Sequence, residues 1–313
     1  MKKAVIAIGG NSLIKDKEHQ SVPDQHNAVV ETCEHIADLI TAGYEVVITH
    51  GNGPQVGFIL LRSEIASKQL HTVPLDYCGA DTQGAIGYSI QRAMMNIFKQ
   101  RGIKGHDTVT VVTQVLVDRN DPAFKNPSKP IGPFYSVAEA KERKDKEGWD
   151  IVEDAGRGWR RVVPSPKPVK ILEIDAIKDL VAKKFTVVAA GGGGIPVIEK
   201  EDGQIEGIAA VIDKDYASSL LASEIKADIF IISTAVDKVY LNFGKEDQKA
   251  LDKITFKEAR QYMEEGHFKK GSMLPKVEAA LSFLEHGGHK AIITNPENLR
   301  NAVEGKSGTT IVK

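Results

Sequence analysis

At 313 residues the chain is long for one compact domain and short for two full ones, so it reads as one large domain with an insertion or as two modest lobes. A hydrophobic fraction of 42% beside 27% charged residues is enough to bury a sizeable core, which excludes disorder, collagen and coiled coil. Lys plus Arg number 41 and Asp plus Glu 42, and the formal charge of −1 offers no global field to a phosphate polymer, so nucleic acid is not an expected partner. Cys33 and Cys78 are too few for a disulfide scaffold and lack metal-ligand spacing. No run approaches the roughly 18 apolar residues of a membrane span. The opening Met1-Lys2-Lys3 and the apolar residues after it stop at Gly9-Gly10-Asn11, too early for a signal peptide, and the reading is a cytoplasmic protein.

In chain order, residues 4–8 and 45–49 read as strands. Between them lies a helix on which Val29, Cys33, Ile36 and Ile40 recur at helical spacing before Gly43. Residues 109–117 read as a third strand. Helix 172–184 then precedes strand 186–190, helix 217–225 precedes strand 229–233, and helix 276–285 precedes strand 291–294. Residues 310–312 close the series. These strands are β-branched and apolar at both parities, as strands covered on both faces must be. The alternation predicts an α/β fold, a three-layer αβα sandwich with a mainly parallel central sheet.

Residues 118–168 break the alternation. They hold Pro122, Pro127, Pro130, Pro133, Pro164, Pro166 and Pro168, with little periodicity outside a short helix near 137–146. A structureless loop of this length is unusual in a compact domain, so an inserted subdomain protruding from a single 1–313 domain is expected. Residues 125–170 carry eleven Lys or Arg against seven Asp or Glu. That excess suits either a solvated flap or a lid bringing cations to an anionic ligand.

The strongest functional signal is glycine at strand ends. Gly9-Gly10-Asn11-Ser12 follows the first strand, His50-Gly51-Asn52-Gly53-Pro54 the second, and Gly191-Gly192-Gly193-Gly194 the strand at 186–190. Gly271-Ser272-Met273-Leu274-Pro275-Lys276 heads a late helix. Ligands of open α/β sheets bind at the carboxyl ends of strands, where glycine lets backbone N–H groups approach an anion. One such cluster is an ordinary turn; four point to an anion site.

The common nucleotide fingerprints are absent. Gly305-Lys306-Ser307 mimics the end of a P-loop, but Arg300 stands where its first glycine belongs, and no G-x-G-x-x-G occurs. Neither G-x-S-x-G nor H-E-x-x-H is found. The nine histidines are scattered, with His286 and His289 reading as a helix end, so no protein metal site is expected. Three lysines stand in rigid or acidic settings: Lys129 among Pro127, Pro130 and Gly132; Lys214 between Asp213 and Asp215, which could fix its ammonium; and Lys276 after the Gly271 loop. Phosphoryl transfer needs fixed cations and little covalent help, a task that suits such lysines.

These motifs resemble the amino acid kinase family and, within it, the carbamate kinases, over essentially the whole chain. The most specific parts are Ala7–Asn11, His50–Gly57, Lys125–Phe134, Glu153–Arg160, Val163–Pro166, Val211–Asp215 and Gly266–Lys276; the Lys125–Phe134 and Glu153–Pro166 stretches mark carbamate kinases specifically. The resemblance implies ATP + carbamate ⇌ ADP + carbamoyl phosphate with Mg²⁺, often ATP-forming at the end of fermentative arginine breakdown, in a homodimer. It implies that Gly9, Gly10 and Asn11 hold the transferring phosphoryl group and that Gly51, Asn52 and Gly53 cradle the carbamate end. Lys129 would reach carbamoyl phosphate, Lys214 would bridge the terminal phosphate and the acceptor, Asp215 would orient the lysines, and Lys276 would neutralise the β- and γ-phosphates. Ser233, Asp237, Tyr240 and Met273 would line the nucleotide site. The alternatives are another small-acid kinase of the family, or a catalytically silent sensor of nucleotide or carbamoyl phosphate.

Overall fold

Strand β1 (Lys2–Ile8) shows why the sheet is covered twice: Val5 and Ala7 pack into one core, Ile6 and Ile8 into another. From there the chain runs through α1 (Val22–Thr41), β2 (Tyr44–His50), α2 (Gln55–Ala66) and α3 (Leu75–Gln100) to β3 (Thr108–Thr110) and β4 (Gln114–Val117). The stretch 118–168 carries β5 (Lys129–Tyr135), α4 (Val137–Glu147), β6 (Asp150–Glu153) and β7 (Trp159–Val163). Next come β8 (Pro168–Ile171), α5 (Ile174–Ala182), β9 (Thr186–Val188), β10 (Ile195–Glu199), β11 (Ile205–Gly207), α6 (Lys214–Glu224) and β12 (Ile229–Ser233). The last part holds β13 (Val239–Leu241), β14 (Lys249–Leu251), β15 (Lys253–Thr255), α7 (Phe256–Glu264), α8 (Met273–Glu285), β16 (Lys290–Thr294), α9 (Leu299–Val303) and β17 (Thr309–Val312). This computed structural model describes residues 1–13, 18–19, 21–154, 156 and 158–313.

The central sheet has eight strands in the order β15-β17-β16-β12-β1-β2-β9-β3. It is parallel from β16 to β3, while β17 runs antiparallel to β16 and β15 runs with β17. On one face Cys33 and Ile36 of α1, Ile90 of α3 and Leu299 of α9 meet Ile6, Ile48 and Ile231. On the other, Ile177 of α5, Leu221 of α6, Ala259 of α7 and Val277 of α8 share a core with Val5, Val47 and Phe230. Alternate side chains of each strand thus enter different cores, which is the αβα sandwich. α1 begins at a Ser21 capping box closed by Asp24 and gives way to Gly43 at φ +91°. No helix among the described residues is long and apolar enough to cross a membrane.

One expectation needs correction. The stretch 109–117 is not one strand: β3 joins the central sheet, whereas β4 joins a second sheet in the order β11-β10-β4-β8. The break is held by Gln83 of α3, a buried carboxamide that accepts from the Thr113 N–H (2.8 Å) and donates to the carbonyls of Thr113 (3.1 Å) and Gly191 (3.0 Å). It takes the backbone groups a continuing ladder would have used. Within 118–168, an antiparallel sheet β5-β7-β6 packs beside α4. Pro130, Gly132 (φ +71°) and Pro133 interrupt β5, whose register shifts between Ile131 and Tyr135. Trp149 organises this small unit: Tyr135 meets it edge-on, and the guanidinium carbons of Arg143 and Arg161 lie 5.1 and 4.8 Å from its ring centre.

Candidate active site

The parallel strands bring the glycine clusters to one end of the sheet. A Cβ on Gly9 would stand 2.9 Å from the Ser233 carbonyl oxygen, so the ends of β1 and β12 abut without side chains between them. Gly51, after β2, sits against Lys214, whose Cδ would lie 3.3 Å from a Cβ there. Gly192 adopts φ +68° and leaves no room for a Cβ beside Asn52, whose Nδ2 donates to the Gly192 carbonyl at 3.3 Å. His50 supports this junction from below. It is fully buried, its Nδ1–H donates to the Gly51 carbonyl at 2.8 Å, and its Nε2 is buried beside Gly191 with no hydrogen-bond partner among the described residues. Burial pushes its pKa down to about 4, with Lys214 adding to the effect and the Gly51 hydrogen bond opposing it, so the ring is neutral at neutral pH.

Asp213 caps α6 by accepting the Asp215 N–H at 2.9 Å, which places Lys214 and Asp215 in the first helical turn. The Asp215 carboxylate is 3% exposed and divides its two oxygens between lysines. Oδ1 accepts from Lys214 Nζ, and Oδ2 accepts from Lys276 Nζ at 3.0 Å. Burial pulls the Lys214 ammonium below the ordinary lysine value and Lys276 adds to this, against the opposing pull of Asp215. One carboxylate therefore gathers two ammonium groups that repel each other. The turn is tied down further: Ser218 Oγ bonds to the Lys214 carbonyl and to Thr49 of β2, both at 2.5 Å, and Ser219 Oγ donates to Ala279 of α8 at 2.8 Å.

The two aspartates flanking Lys214 were expected to serve that lysine together. Instead they part company, and Oδ2 of Asp213 accepts from Lys129 Nζ of the insertion at 2.7 Å. Burial acts to raise the Asp213 carboxyl, but Lys129, the Asp215 N–H and Lys214 outweigh it and hold its pKa at about 2.

Two cavities meet at Lys276. One, of about 650 Å³, is lined by Gly51–Pro54, by Lys129–Phe134 and Arg160 of the insertion, and by Val211–Asp215 with Lys276. The other, of about 690 Å³, is lined by Thr234–Val236, Tyr240, Phe243, His267–Lys269, Met273 and Lys276. The sequence-derived candidates distribute between them. Gly51, Asn52, Gly53, Lys129, Lys214, Asp215 and Lys276 line the first; Tyr240, Met273 and Lys276 line the second. Ser233 is fully buried and lines neither, and Asp237 accepts from the Tyr240 hydroxyl at 2.7 Å without lining either. Gly10 and Asn11 lie in a short 3₁₀ turn after β1, and the expected role of the Asn11 side chain falls outside the described residues.

Phe243 carries no sequence signal, and Arg160, though it ends the Glu153–Arg160 stretch, was given no role at the site. Arg160 donates to the Gly132 carbonyl at 3.0 Å and pairs with Asp154 at 3.2 Å, and its guanidinium carbon lies 5.2 Å from the Phe134 ring centre, so it braces the bulged strand that carries Lys129. The doublet Arg160-Arg161 beside aromatic Trp159 was the available signal.

A mainly parallel sheet whose glycine-rich strand ends face lysines gathered by aspartates is the frame of a small-molecule kinase. The chain belongs to the amino acid kinase family, which matches residues 2–295. Its full-length relatives are more particular. It is 51% identical to carbamate kinase of Thermococcus kodakarensis over 100% of both chains. It is 52% identical to carbamate kinase-like protein YahI of Escherichia coli, over 99% of this chain and 98% of that one. The solved structure of carbamate kinase from Giardia lamblia bound to AMP-PNP matches with a TM-score of 0.93 at 43% identity, covering 100% of this chain and 98% of the other. The chain is thus a kinase with the carbamate kinase fold.

Proposed function

We propose that this kinase catalyses ATP + carbamate ⇌ ADP + carbamoyl phosphate. The observation that carries the reading is Asp215 holding Lys214 and Lys276 together, with Lys276 shared between the two adjoining cavities. The Tyr240–Met273 cavity takes the nucleotide and the Gly51–Lys129 cavity the carbamoyl end, so the phosphoryl group passes beneath Lys276. Lys276 neutralises oxygens on the nucleotide side, while Lys214, beside Gly51, meets the acceptor side. Asp215 holds both ammonium groups in place and touches neither reactant as a base. Gly9, Gly10 and Asn11 hold the transferring group, Gly51, Asn52 and Gly53 hold the carbamate end, and Ser233 and Asp237 support the nucleotide wall. Carbamate is already an anion, so no strong general base is required; rate comes from alignment and charge neutralisation.

Magnesium enters as part of the nucleotide substrate. Among the described residues no group of three or more His, Cys, Asp or Glu could hold a metal ion, and Asp213 and Asp215 are each engaged by lysines. Phosphate oxygens and water would supply most ligands of a Mg–nucleotide complex, as is usual for this cation. The stretch 118–168 acts as a lid on one domain spanning 1–313. The proposal extends to a cytoplasmic homodimer working toward ATP at the end of fermentative arginine breakdown, the direction and setting the family resemblance implies.

The test is to supply ADP, Mg²⁺ and carbamoyl phosphate and follow ATP in a coupled assay, with acetyl phosphate in parallel. Rapid ATP formation preferring carbamoyl phosphate is expected. Preference for another acyl phosphate would move the chain to a different small-acid kinase, and nucleotide binding without turnover would make it a sensor.

A further inference from the structure

We propose that Asp213 is the positioning residue of the lid: its carboxylate, fixed at the head of α6, holds Lys129 across the cavity and presents the remaining N–H groups of that ammonium to an acyl phosphate. The inference rests on the reading of the site given above and assigns a role to a side chain that the transfer centre leaves unused.

Three observations converge on it. The carboxylate has two distinct partners, with Oδ1 on the Asp215 N–H (2.9 Å) and Oδ2 on Lys129 Nζ (2.7 Å). The cap makes Asp213 part of the rigid turn that carries Lys214 and Asp215, so Lys129 is referenced to the transfer centre as well as to its own strand. Both residues line the same cavity, and the lid's return stem is keyed to the same segment, the Val211 N–H donating to the Pro164 carbonyl at 2.9 Å. The chemistry permits sharing, because an ammonium has three N–H donors. One remains on Asp213 while the others turn toward the phosphoryl oxygens. The pair is also partly exposed, with 33% of the Lys129 side chain open to solvent, so a phosphate entering the cavity can reach the ammonium.

Asparagine caps a helix about as well as aspartate, so Asp213→Asn removes the charge and keeps the turn; Asp213→Ser is a second variant of the same design. These variants, Lys129→Met and the double variant are compared by hydrogen exchange of the β5 and β7 amides in the ligand-free chain, and by KM for carbamoyl phosphate and for ADP. Asp213→Asn is expected to speed lid exchange and raise the carbamoyl phosphate KM about tenfold, in keeping with the loss of a charge-assisted hydrogen bond, with the ADP KM within about twofold of wild type. In the Lys129→Met background it should add nothing, because it acts through that lysine. Wild-type lid exchange in both cap-preserving variants, equal damage to both KM values, or full additivity in the double variant would overturn the proposal. A wild-type chain that turns over no carbamoyl phosphate sinks the functional reading instead, and the exchange data still decide the role of Asp213.

Discussion

Lys214 and Lys129 reach one cavity from opposite kinds of structure. Lys214 starts a helix whose first turn is bonded to β2 and α8, and its side chain is 13% exposed beside a buried carboxylate. Lys129 opens a short antiparallel strand interrupted by two prolines and a glycine, and one contact ties it to the body's aspartate. A preorganised cation in a water-poor site stabilises transition-state charge without reorganising, whereas a cation on a separate unit can arrive with the ligand. On the proposed reaction, the same residue type would serve transfer in one place and capture in the other.

The largest expected effect breaks the comparison on the body's side. Lys214→Ala or Lys276→Ala should lower turnover at least about a hundredfold, as removal of a fixed donor to transition-state charge does. Each leaves Asp215 with one cation in place of two, so a melting curve should accompany the rates. A folded variant with near-wild-type turnover would put the transfer centre elsewhere.

On the lid's side the effect should be smaller and of another kind. Gly57 of α2 approaches the lid so closely that a Cβ would stand 2.8 Å from Gly132 Cα and 3.1 Å from its nitrogen, backbone atoms that cannot swing away. Gly57→Ala should push β5 off the body at a cost of about 1–3 kcal/mol in lid docking. The expected readout is a raised carbamoyl phosphate KM with unchanged ADP affinity. Equal loss of both would mean that α2 shapes the whole site rather than the docking of the lid.

A third comparison separates the buried support of the site from its charged surface. His50 is neutral in the fold and depressed to about 4, while an unfolded chain would protonate it near 6.5. Between those values the unfolded state binds more protons, so stability rises with pH across roughly 4–6.5 and falls as the pH drops through that window. His50→Gln should flatten this slope by up to about 3 kcal/mol, read from melts at pH 7 and pH 4. An identical slope in the variant would show that His50 charges freely inside the fold. Asp213 acts in the same direction at lower pH: its depressed carboxyl contributes stability that is present above its unfolded value and lost as the pH falls toward about 2.

The two regions also differ in how far they could be read from the sequence. In the body, strands apolar at both parities declare two cores, and the glycine clusters land together because parallel strands end on the same side. The resemblance assigns Asp215 to the lysines, but the hold of Asp213 on Lys129 was not readable, since both aspartates flank Lys214 and only the helix they start decides where each carboxylate points. Nor was the break at 111–113, because Gln83 acts on it from a helix some 30 residues earlier. In the lid, turn-forming residues concealed β5, whose pairing with β7 is set by tertiary packing around Trp149 more than by propensity.

The smallest effect tests whether the lid owes its shape to local bonds or to the body. α4 starts at a capping box in which Ser136 Oγ accepts the Glu139 N–H and the Glu139 carboxylate accepts the Ser136 N–H at 2.8 Å. Only Ala140 of that helix is buried, so little packing compensates for a lost cap. Ser136→Ala should cost about 1 kcal/mol of helix stability. By the relation between free energy and population, that corresponds to roughly fivefold faster exchange in residues 137–147. Turnover and the main melting transition should hardly move, because β5 and Arg160 still carry Lys129. If exchange instead rises together through β5, β7 and α4, the lid opens as one unit, and its docking at Asp213 governs its order more than its own caps do.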